Sequence, residues 1–274
     1  MPAPVRCTAS SSPSAPSSPS APSSPSALPA SIRRSCPSTR RLLVAFAVVG
    51  AAVLGACTPP PAPDAPEGWV RATITSDPAD VLALSSAAAD AVRVDAPATN
   101  VGSNSRALFW RADALVSREH SVCATVSHSG WLNQEGVALR VATSPHGGVR
   151  GITVNKNVWA AEHSVYKVML WDTSKGDDHG LGIRSSAQHA SVDMRDAVRR
   201  AAAPDTPRRL CARVSGATLE WKLWPADVVE PSWDDPVHTA RVALPGSWVY
   251  DGSPGLYIGH TPPDGWAEFR SISP

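Results

Sequence analysis

The sequence predicts an all-β domain, folded as a two-sheet antiparallel sandwich, over residues 68–274. From Trp69 onward, alternating or β-branched runs recur about every 10–15 residues with turn residues between them, which is typical of sandwiches. Only Ala79–Ala91 and Val192–Ala203 are plausible helices, and Pro204 and Pro207 follow the second of these. The Ala-rich segment Val81–Val94 fits either a strand or a helix. The rarity of helix patterns argues against a parallel α/β fold.

Each predicted strand is a short run that alternates apolar and polar residues or is rich in β-branched ones. These runs are Val70–Thr75, Ala107–Ala112, Ser121–Val126, Val137–Ala142, Gly151–Val158, Val165–Trp171, Leu210–Val214, Thr218–Trp224, Ala240–Leu244, Gly255–Gly259 and Ala267–Ser271.

One hairpin is clear from the sequence, because Ser215-Gly216-Ala217 separates two of these runs. Alternation in its second strand predicts one face with Leu219, Trp221 and Leu223, and an opposite face with Glu220, Lys222 and Trp224. Trp171 and Trp221 lie within predicted strands and Trp159 lies at the end of one, so we expect the three rings in the core.

Longer motifs then follow a familiar order. Asn133-Gln-Glu-Gly-Val-Ala-Leu-Arg140 precedes Gly151-Ile-Thr-Val-Asn-Lys-Asn-Val-Trp159, and the chain closes with Pro254-Gly-Leu-Tyr-Ile-Gly-His260 and a last strand. With the Arg209–Trp224 hairpin, this order resembles the concanavalin A-like lectin and glucanase domains, including their laminin-G-like versions. The resemblance covers roughly residues 100–272 and implies a jelly roll; it concerns the fold and leaves the function open.

The N-terminal region predicts export and lipid attachment. A Ser/Pro/Ala-rich stretch, which we expect to be disordered, precedes Arg40-Arg41 and the uncharged run Leu42–Ala56. That run is too short for a membrane span and fits a signal peptide. Leu54-Gly55-Ala56-Cys57 resembles the bacterial lipobox, in which cleavage before the cysteine frees it for lipid attachment. A transmembrane anchor or a secreted signal peptide with a chance cysteine is the alternative.

These features divide the chain into three parts. Residues 1–56 are a signal and low-complexity segment that is removed, residues 57–67 are the lipidated cysteine with a Pro-rich tether, and residues 68–274 are the sandwich. We therefore expect the protein at the outer face of a bacterial cytoplasmic membrane, held by Cys57. The Arg-rich, Lys-poor composition is typical of GC-rich genomes such as those of actinobacteria.

The charge distribution gives no reason to expect nucleic acid as a partner. All 24 acidic residues follow Cys57, whereas five of the 25 basic residues precede it, so the chain from Cys57 onward has a formal charge of −4. An acidic domain does not attract phosphate backbones.

Two of the five cysteines remain for a disulfide. Cys7 and Cys36 lie in the segment expected to be removed, and Cys57 carries lipid. Cys123 and Cys211 each lie within a predicted strand, and an exported protein folds in an oxidising compartment. We favour a disulfide between them over two buried free thiols.

No catalytic signature is present. Retaining glucanases of this fold carry Glu-x-Asp-x-Glu on one strand, which places two carboxylates about 5 Å apart, and this sequence has no such motif. Glu135, Glu220 and Asp172 are the carboxylates that could act in an enzyme of this fold with a non-standard pair. The His146-Gly147-Gly148 run is similar to an esterase oxyanion loop, but a turn explains it more simply.

Cofactor patterns are equally sparse. Lys175–Gly180 contains two aspartates and a histidine in a loop that could bind Ca²⁺, although a solvated turn is the simpler interpretation. No pair of histidines has the spacing of a zinc site. We therefore predict no required cofactor.

Loop aromatics are the best indication of a ligand. Trp131, Trp233 with Asp234, and Trp248 with Tyr250 lie in predicted loops, where a ring can stack on a sugar and a carboxylate can bind its hydroxyls. The alternative is that these rings cover the edges of the core. We therefore expect a non-catalytic, lectin-like domain that binds cell-wall or other glycans, with a glycosidase-like enzyme as the second hypothesis.

Overall fold

The computed structural model describes residues 67–74, 82–88, 90–98, 105–130, 133–144, 147–157, 164–174, 186–198 and 206–274. The expected signal peptide, Cys57 and most of the tether lie outside these residues, as do Trp131, Trp159 and Lys175–Gly180. All described residues belong to one compact unit. Within these ranges, no helix combines the length and apolarity needed to cross a membrane.

Fourteen strands make up nearly all of the regular secondary structure in the described residues. They are β1 Trp69–Thr73, β2 Ala83–Ala88, β3 Ala91–Asp95, β4 Arg106–Arg111, β5 His120–His128, β6 Gly136–Thr143, β7 Val149–Lys156, β8 Val165–Asp172, β9 Ser186–Asp193, β10 Arg208–Ser215, β11 Thr218–Pro225, β12 Thr239–Ala243, β13 Ser253–Gly259 and β14 Trp266–Ser273. A single helical turn, α1 at Arg195–Val198, and a 3-10 turn at Gly246–Trp248 interrupt them.

The strands form two seven-stranded sheets. The front sheet has the order β1-β4-β13-β6-β7-β8-β9, and the back sheet has the order β12-β11-β10-β5-β14-β3-β2. Every named pairing is antiparallel. The prediction of an all-β, two-sheet jelly-roll sandwich is therefore confirmed.

The main core lies between the sheets. Phe109, Ile152 and Leu256 of the front sheet and Trp221 and Phe269 of the back sheet have no exposed surface. Burying a large apolar side chain contributes about 1.5–3 kcal/mol, so this layer is the main source of stability. In β11, Leu219, Trp221 and Leu223 face this core, as the alternation of the sequence predicts.

The structure corrects both helix predictions. Ala83–Ala88 is a strand, although Ala79–Ala91 has a helical composition, because it pairs with β3 and tertiary pairing outweighs local propensity. The other predicted helix, Val192–Ala203, begins later: Val192 belongs to β9, and helix is described only at Arg195–Val198. Strands β2, β3 and β9 were not predicted.

Two glycines are required by local geometry. Gly216 has φ of +52° in the two-residue turn between β10 and β11, where it supplies the left-handed conformation. At Gly136, an added Cβ would lie 2.1 Å from the backbone oxygen of Val154. Only glycine therefore permits the close approach of β6 to β7 at this point.

Candidate functional site

Several predicted residues meet at one end of the front sheet. Asp172 is the last residue of β8 and lies directly opposite Arg150 of β7. Trp248 and Tyr250, in the connection between β12 and β13, pack beside them, with ring centroids 6.0 Å apart. We call Asp172, Arg150, Trp248 and Tyr250, together with Ser144 and Ser174, the loop-end cluster.

Asp172 is held as a buried carboxylate within this cluster. Its Oδ1 accepts hydrogen bonds from Ser144 Oγ at 3.1 Å and from Ser174 Oγ at 2.5 Å, and its Oδ2 lies 3.4 Å from Arg150 Nε. Burial acts to raise the pKa of Asp172, but the two hydroxyls, the Ser174 N–H and Arg150 outweigh it, and the pKa is lowered. The carboxylate is therefore charged at neutral pH.

Arg150 joins the carboxylate to the rings. Its guanidinium carbon lies 4.6 Å from the Trp248 ring centroid and 4.4 Å from that of Tyr250, and Nη2 donates to Ser247 O at 3.1 Å. A planar guanidinium held between aromatic rings and a carboxylate is a rigid hydrogen-bonding group. The Arg150 side chain keeps 16 % of its surface exposed, so it stays accessible.

Tyr250 has an unsatisfied polar group. Its buried hydroxyl has no hydrogen-bond partner among the described residues, and burial raises its pKa. A buried hydroxyl without a partner costs free energy, which a ligand with a donor or acceptor at this point would recover.

Arg140 ties the surrounding loops to the front sheet. Its fully buried guanidinium donates to the carbonyl oxygens of Arg118, Gly216 and Trp248, at 2.6–3.0 Å. His120 Nε2 accepts the backbone N–H of Arg140 at 3.1 Å, while its Nδ1 lies 3.1 Å from Ser117 O. The Arg140 side chain therefore holds three connections in place beside the loop-end cluster, those between β4 and β5, between β10 and β11, and between β12 and β13.

The other predicted aromatic pair lies on the opposite sheet. Trp233 is half-buried over the outer face of the back sheet, where Arg213 and Lys222 place cations 4.2 and 4.6 Å from its ring centroid. The adjacent Asp234 is exposed. The structure thus brings Trp248 and Tyr250 together but separates them from Trp233 and Asp234, and Trp131 lies outside the described residues.

The outer face of the front sheet carries a second aromatic cluster, which the sequence did not reveal. The rings of Trp171 and Tyr257 stack with centroids 5.6 Å apart, over small residues such as Ala138. Trp171 Nε1 donates to Thr153 Oγ1 at 3.0 Å. Trp171 is thus buried as expected, but on the outer face of the sheet rather than between the sheets. Burial leaves both rings inaccessible, so we do not assign them a ligand.

The candidate catalytic carboxylates do not form a pair. Glu135 lies at the opposite end of the sandwich, buried against Lys156 Nζ at 3.1 Å and His128 Nε2 at 3.6 Å. Burial acts to raise the pKa of Glu135, but Lys156, His128 and Arg208 lower it overall. An ionised, fully enclosed carboxylate is unsuited to protonating a leaving group.

Glu220 is occupied elsewhere. It lies on the outer face of the back sheet and pairs with Arg213 and Arg241. Burial acts to raise its pKa, but these two arginines lower it overall. Glu135, Glu220 and Asp172 therefore occupy three separate environments, and none supplies the acid partner of another.

The structure contains a disulfide between Cys123 and Cys211, which are directly opposite residues of β5 and β10. This bond closes a sequence separation of 88 residues across two neighbouring strands of the back sheet. Cys57 lies outside the described residues. No group of three or more His, Cys, Asp or Glu residues that could hold a metal occurs in the described ranges.

Arg150, Ser144 and Ser174 were missed by the sequence analysis. Arg150 directly precedes the predicted strand Gly151–Val158, and a charged residue before a strand does not by itself indicate a site. The two serines lie in turns, where serine is common for reasons unrelated to ligands. The register of β7 against β8 brings Arg150 to Asp172, whereas Ser174 reaches the carboxylate from the turn two residues after it.

Comparison with known proteins gives a likeness at the level of solved structures only. No family model matches the chain, and no curated protein matches it. The chain is similar to the exoplasmic/lumenal domain of VIP36 in its Ca²⁺/Man3GlcNAc-bound form, with 15 % identity, 75 % of this chain and 84 % of that chain covered, and a TM-score of 0.41.

Two further structures show a similar likeness. A protein of unknown function with a galectin-like fold from Bacillus subtilis has 10 % identity over 74 % of this chain and 87 % of that chain, with a TM-score of 0.42. A legume lectin-like domain from Entamoeba histolytica has 8 % identity over 75 % of this chain and 87 % of that chain, with a TM-score of 0.41. Likeness at this level carries no argument about a ligand.

Proposed function

We propose that this protein is a non-catalytic carbohydrate-binding domain displayed at the outer face of a bacterial membrane. The observation that carries the proposal is the loop-end cluster, in which a charged carboxylate, a guanidinium, two hydroxyls and aromatic rings converge. Binding sites in proteins typically combine apolar surface with a few convergent polar groups. Two neighbouring hydroxyls of a sugar fit this pair, because one can donate a hydrogen bond to Asp172 while the other accepts one from Arg150.

The roles within the site follow from its geometry. Asp172 accepts hydrogen bonds from sugar hydroxyls, and Arg150 donates to their oxygens. Tyr250 offers the edge of its ring and its unsatisfied hydroxyl. Because Asp172 pairs with Arg150, the site has little net charge, and a neutral glycan such as a cell-wall polysaccharide fits it better than a strongly ionic ligand.

The experiment is a glycan array that includes bacterial cell-wall polysaccharides, probed with the Cys57→Ser chain. We expect Asp172→Asn and Arg150→Gln to weaken binding at least tenfold, since each removes a charge-assisted hydrogen bond. Trp233→Ala and Asp234→Asn serve as controls at the other predicted position. Trp131 stays a predicted contact, and Trp131→Ala in the same array tests it.

Unchanged binding by Asp172→Asn and Arg150→Gln, with loss of binding in the Trp233→Ala variant, would move the site to the back sheet. Absence of binding to every glycan by the wild-type chain would contradict the carbohydrate proposal altogether. Hydrolysis of a bound glycan would instead support the enzyme alternative.

The location forms the second part of the proposal and rests on the sequence around Cys57. We expect the wild-type chain, expressed in a bacterium, to incorporate labelled fatty acid and to partition into a detergent phase. Cys57→Ser should abolish both results. Labelling that persists in Cys57→Ser would contradict lipid attachment at this residue.

A further inference from the structure

An apolar cavity opens between the two sheets beside the first residue of β1. Its volume is about 400 Å³. Its walls come from both sheets and from the connection between β4 and β5, and include Trp69, Ala114, Leu115, Val122, Leu256 and Ile272. This size lies within the range of about 300–1,000 Å³ that is typical of small-molecule sites.

The lining favours an apolar occupant. Interiors of proteins are closely packed, with few voids larger than a water molecule, so an open space of this size is unusual. Water gains little in an apolar cavity, where it finds few hydrogen-bond partners. At the mouth, Leu115 is 79 % exposed and the neighbouring Val116 is 62 % exposed, which extends the apolar surface outward.

One polar group in the wall lacks a partner. The indole N–H of Trp69 is buried and has no hydrogen-bond acceptor among the described residues. A buried donor without an acceptor is costly, so an occupant with an oxygen acceptor would be favoured over a pure hydrocarbon. This observation is independent of the cavity's size and apolar lining.

The acidic and basic side chains of the lining are paired. Arg111 pairs with Asp113 at 2.9 Å through two of its nitrogens, and His120, which also lines the cavity, has contacts with Ser117 O and the Arg140 backbone N–H. A strongly ionic head group therefore finds no unpaired charged side chain among these residues. The chemistry matches an aliphatic chain that ends in a carbonyl oxygen.

We propose that this cavity binds a single acyl chain of a lipid, with its carbonyl oxygen accepting the Trp69 indole N–H. The occupant is a separate lipid molecule and not the acyl chains expected on Cys57. Five prolines lie between Cys57 and Trp69, and a proline-rich segment of this length extends over about 35 Å at ~3.1 Å per residue. From this composition we expect the tether to keep the lipid of Cys57 away from the cavity.

The test uses the methyl ester of cis-parinaric acid, a fluorescent and uncharged acyl chain with a carbonyl oxygen, titrated into the Cys57→Ser chain. We expect saturable binding that methyl laurate displaces. Ala114→Trp places a large ring at the cavity wall and should reduce affinity more than tenfold. Trp69→Phe keeps the ring and removes only the N–H, and it should weaken binding about fivefold, the effect of one neutral hydrogen bond.

Trp266→Phe is the matched control, because Trp266 begins β14 at the other end of that strand from the cavity. It should bind the probe like the wild type, and circular dichroism checks that each variant is folded. Equal affinity in wild-type, Ala114→Trp and Trp69→Phe chains would overturn the proposal, as would the absence of saturable binding.

The lipidated wild-type chain distinguishes the two lipid sources. It should bind the probe as tightly as Cys57→Ser does, and a loss of binding confined to the lipidated form would show that the attached acyl chain occupies the cavity. Because the glycan array uses different residues and a different ligand, failure of either proposal leaves the other intact.

Discussion

Replacing Glu135 should destabilise the protein more than replacing its partner Lys156. The two side chains are almost fully buried and lie 3.1 Å apart, with His128 within hydrogen-bond distance of Lys156. Lys156→Met leaves Glu135 beside Arg208, which also lowers its pKa, so a countercharge remains. Glu135→Gln removes the carboxylate that faces both Lys156 and Arg208.

The magnitudes follow from the cost of stranding a buried charge, about 3–5 kcal/mol. We expect Glu135→Gln to lower the free energy of unfolding by about 4 kcal/mol and Lys156→Met by about 2 kcal/mol. The double variant should be more stable than Glu135→Gln alone, because it removes one of the stranded cations. Their effects are therefore strongly non-additive.

Urea unfolding at pH 7, followed by tryptophan fluorescence, measures these differences. The surface pair of Glu268 and Arg270 supplies the control, since Glu268→Gln should cost less than about 1 kcal/mol. A larger loss for Lys156→Met than for Glu135→Gln, or additive effects in the double variant, would refute the reasoning.

Three further predictions concern the fold near the site and the back sheet. Arg140→Ala should lower the free energy of unfolding by about 3 kcal/mol, because it removes the donor of one buried and two partly buried carbonyl groups. Arg118→Ala, at an exposed ion pair, should lower it by under about 1 kcal/mol, and thermal unfolding checks both variants. Burial lowers the pKa of His120, so the unfolded state binds the proton more readily than the folded state does. The free energy of unfolding should therefore fall as the pH drops below about 6.5, the ordinary pKa of histidine. If His120→Gln shows the same dependence of unfolding free energy on pH as the wild type, this reasoning is wrong. Replacing both Cys123 and Cys211 with alanine should lower the free energy of unfolding by about 4–5 kcal/mol, because the disulfide closes a sequence separation of 88 residues. A urea midpoint equal to that of the oxidised wild type would show that the disulfide does not stabilise the fold.

The fold was predictable wherever strands show clear alternation. β11 illustrates this, since its apolar and polar residues separate onto two faces as its pattern predicts. Ala83–Ala88 did not have this signal, because alanine favours helices locally and only pairing with β3 makes the segment a strand. β9 is similarly weak, as most of its residues are small or polar and partly exposed.

The candidate site was only partly predictable for a geometric reason. Trp248 and Tyr250 stood out as loop aromatics, and Asp172 stood out as a carboxylate at the end of a strand. Nothing in the sequence joins them to Arg150, because that contact depends on the register of β7 against β8. Trp233 showed the same loop pattern, yet its ring lies against Arg213 and Lys222 of the back sheet.

The cavity beside Trp69 could not be predicted at all. Its walls come from five strands, β1, β4, β5, β13 and β14, and from the connection between β4 and β5, and each lining residue alone is an ordinary core or loop residue. Voids depend on how facing side chains interdigitate, which periodicity does not report.

The most direct test of the central proposal is a calorimetric titration with the tightest-binding glycan from the array. It compares the wild-type, Asp172→Asn and Trp233→Ala chains, all carrying Cys57→Ser. If the loop-end cluster binds carbohydrate, Asp172→Asn loses at least tenfold in affinity while Trp233→Ala keeps the wild-type value. Wild-type affinity in a correctly folded Asp172→Asn chain would contradict the proposal.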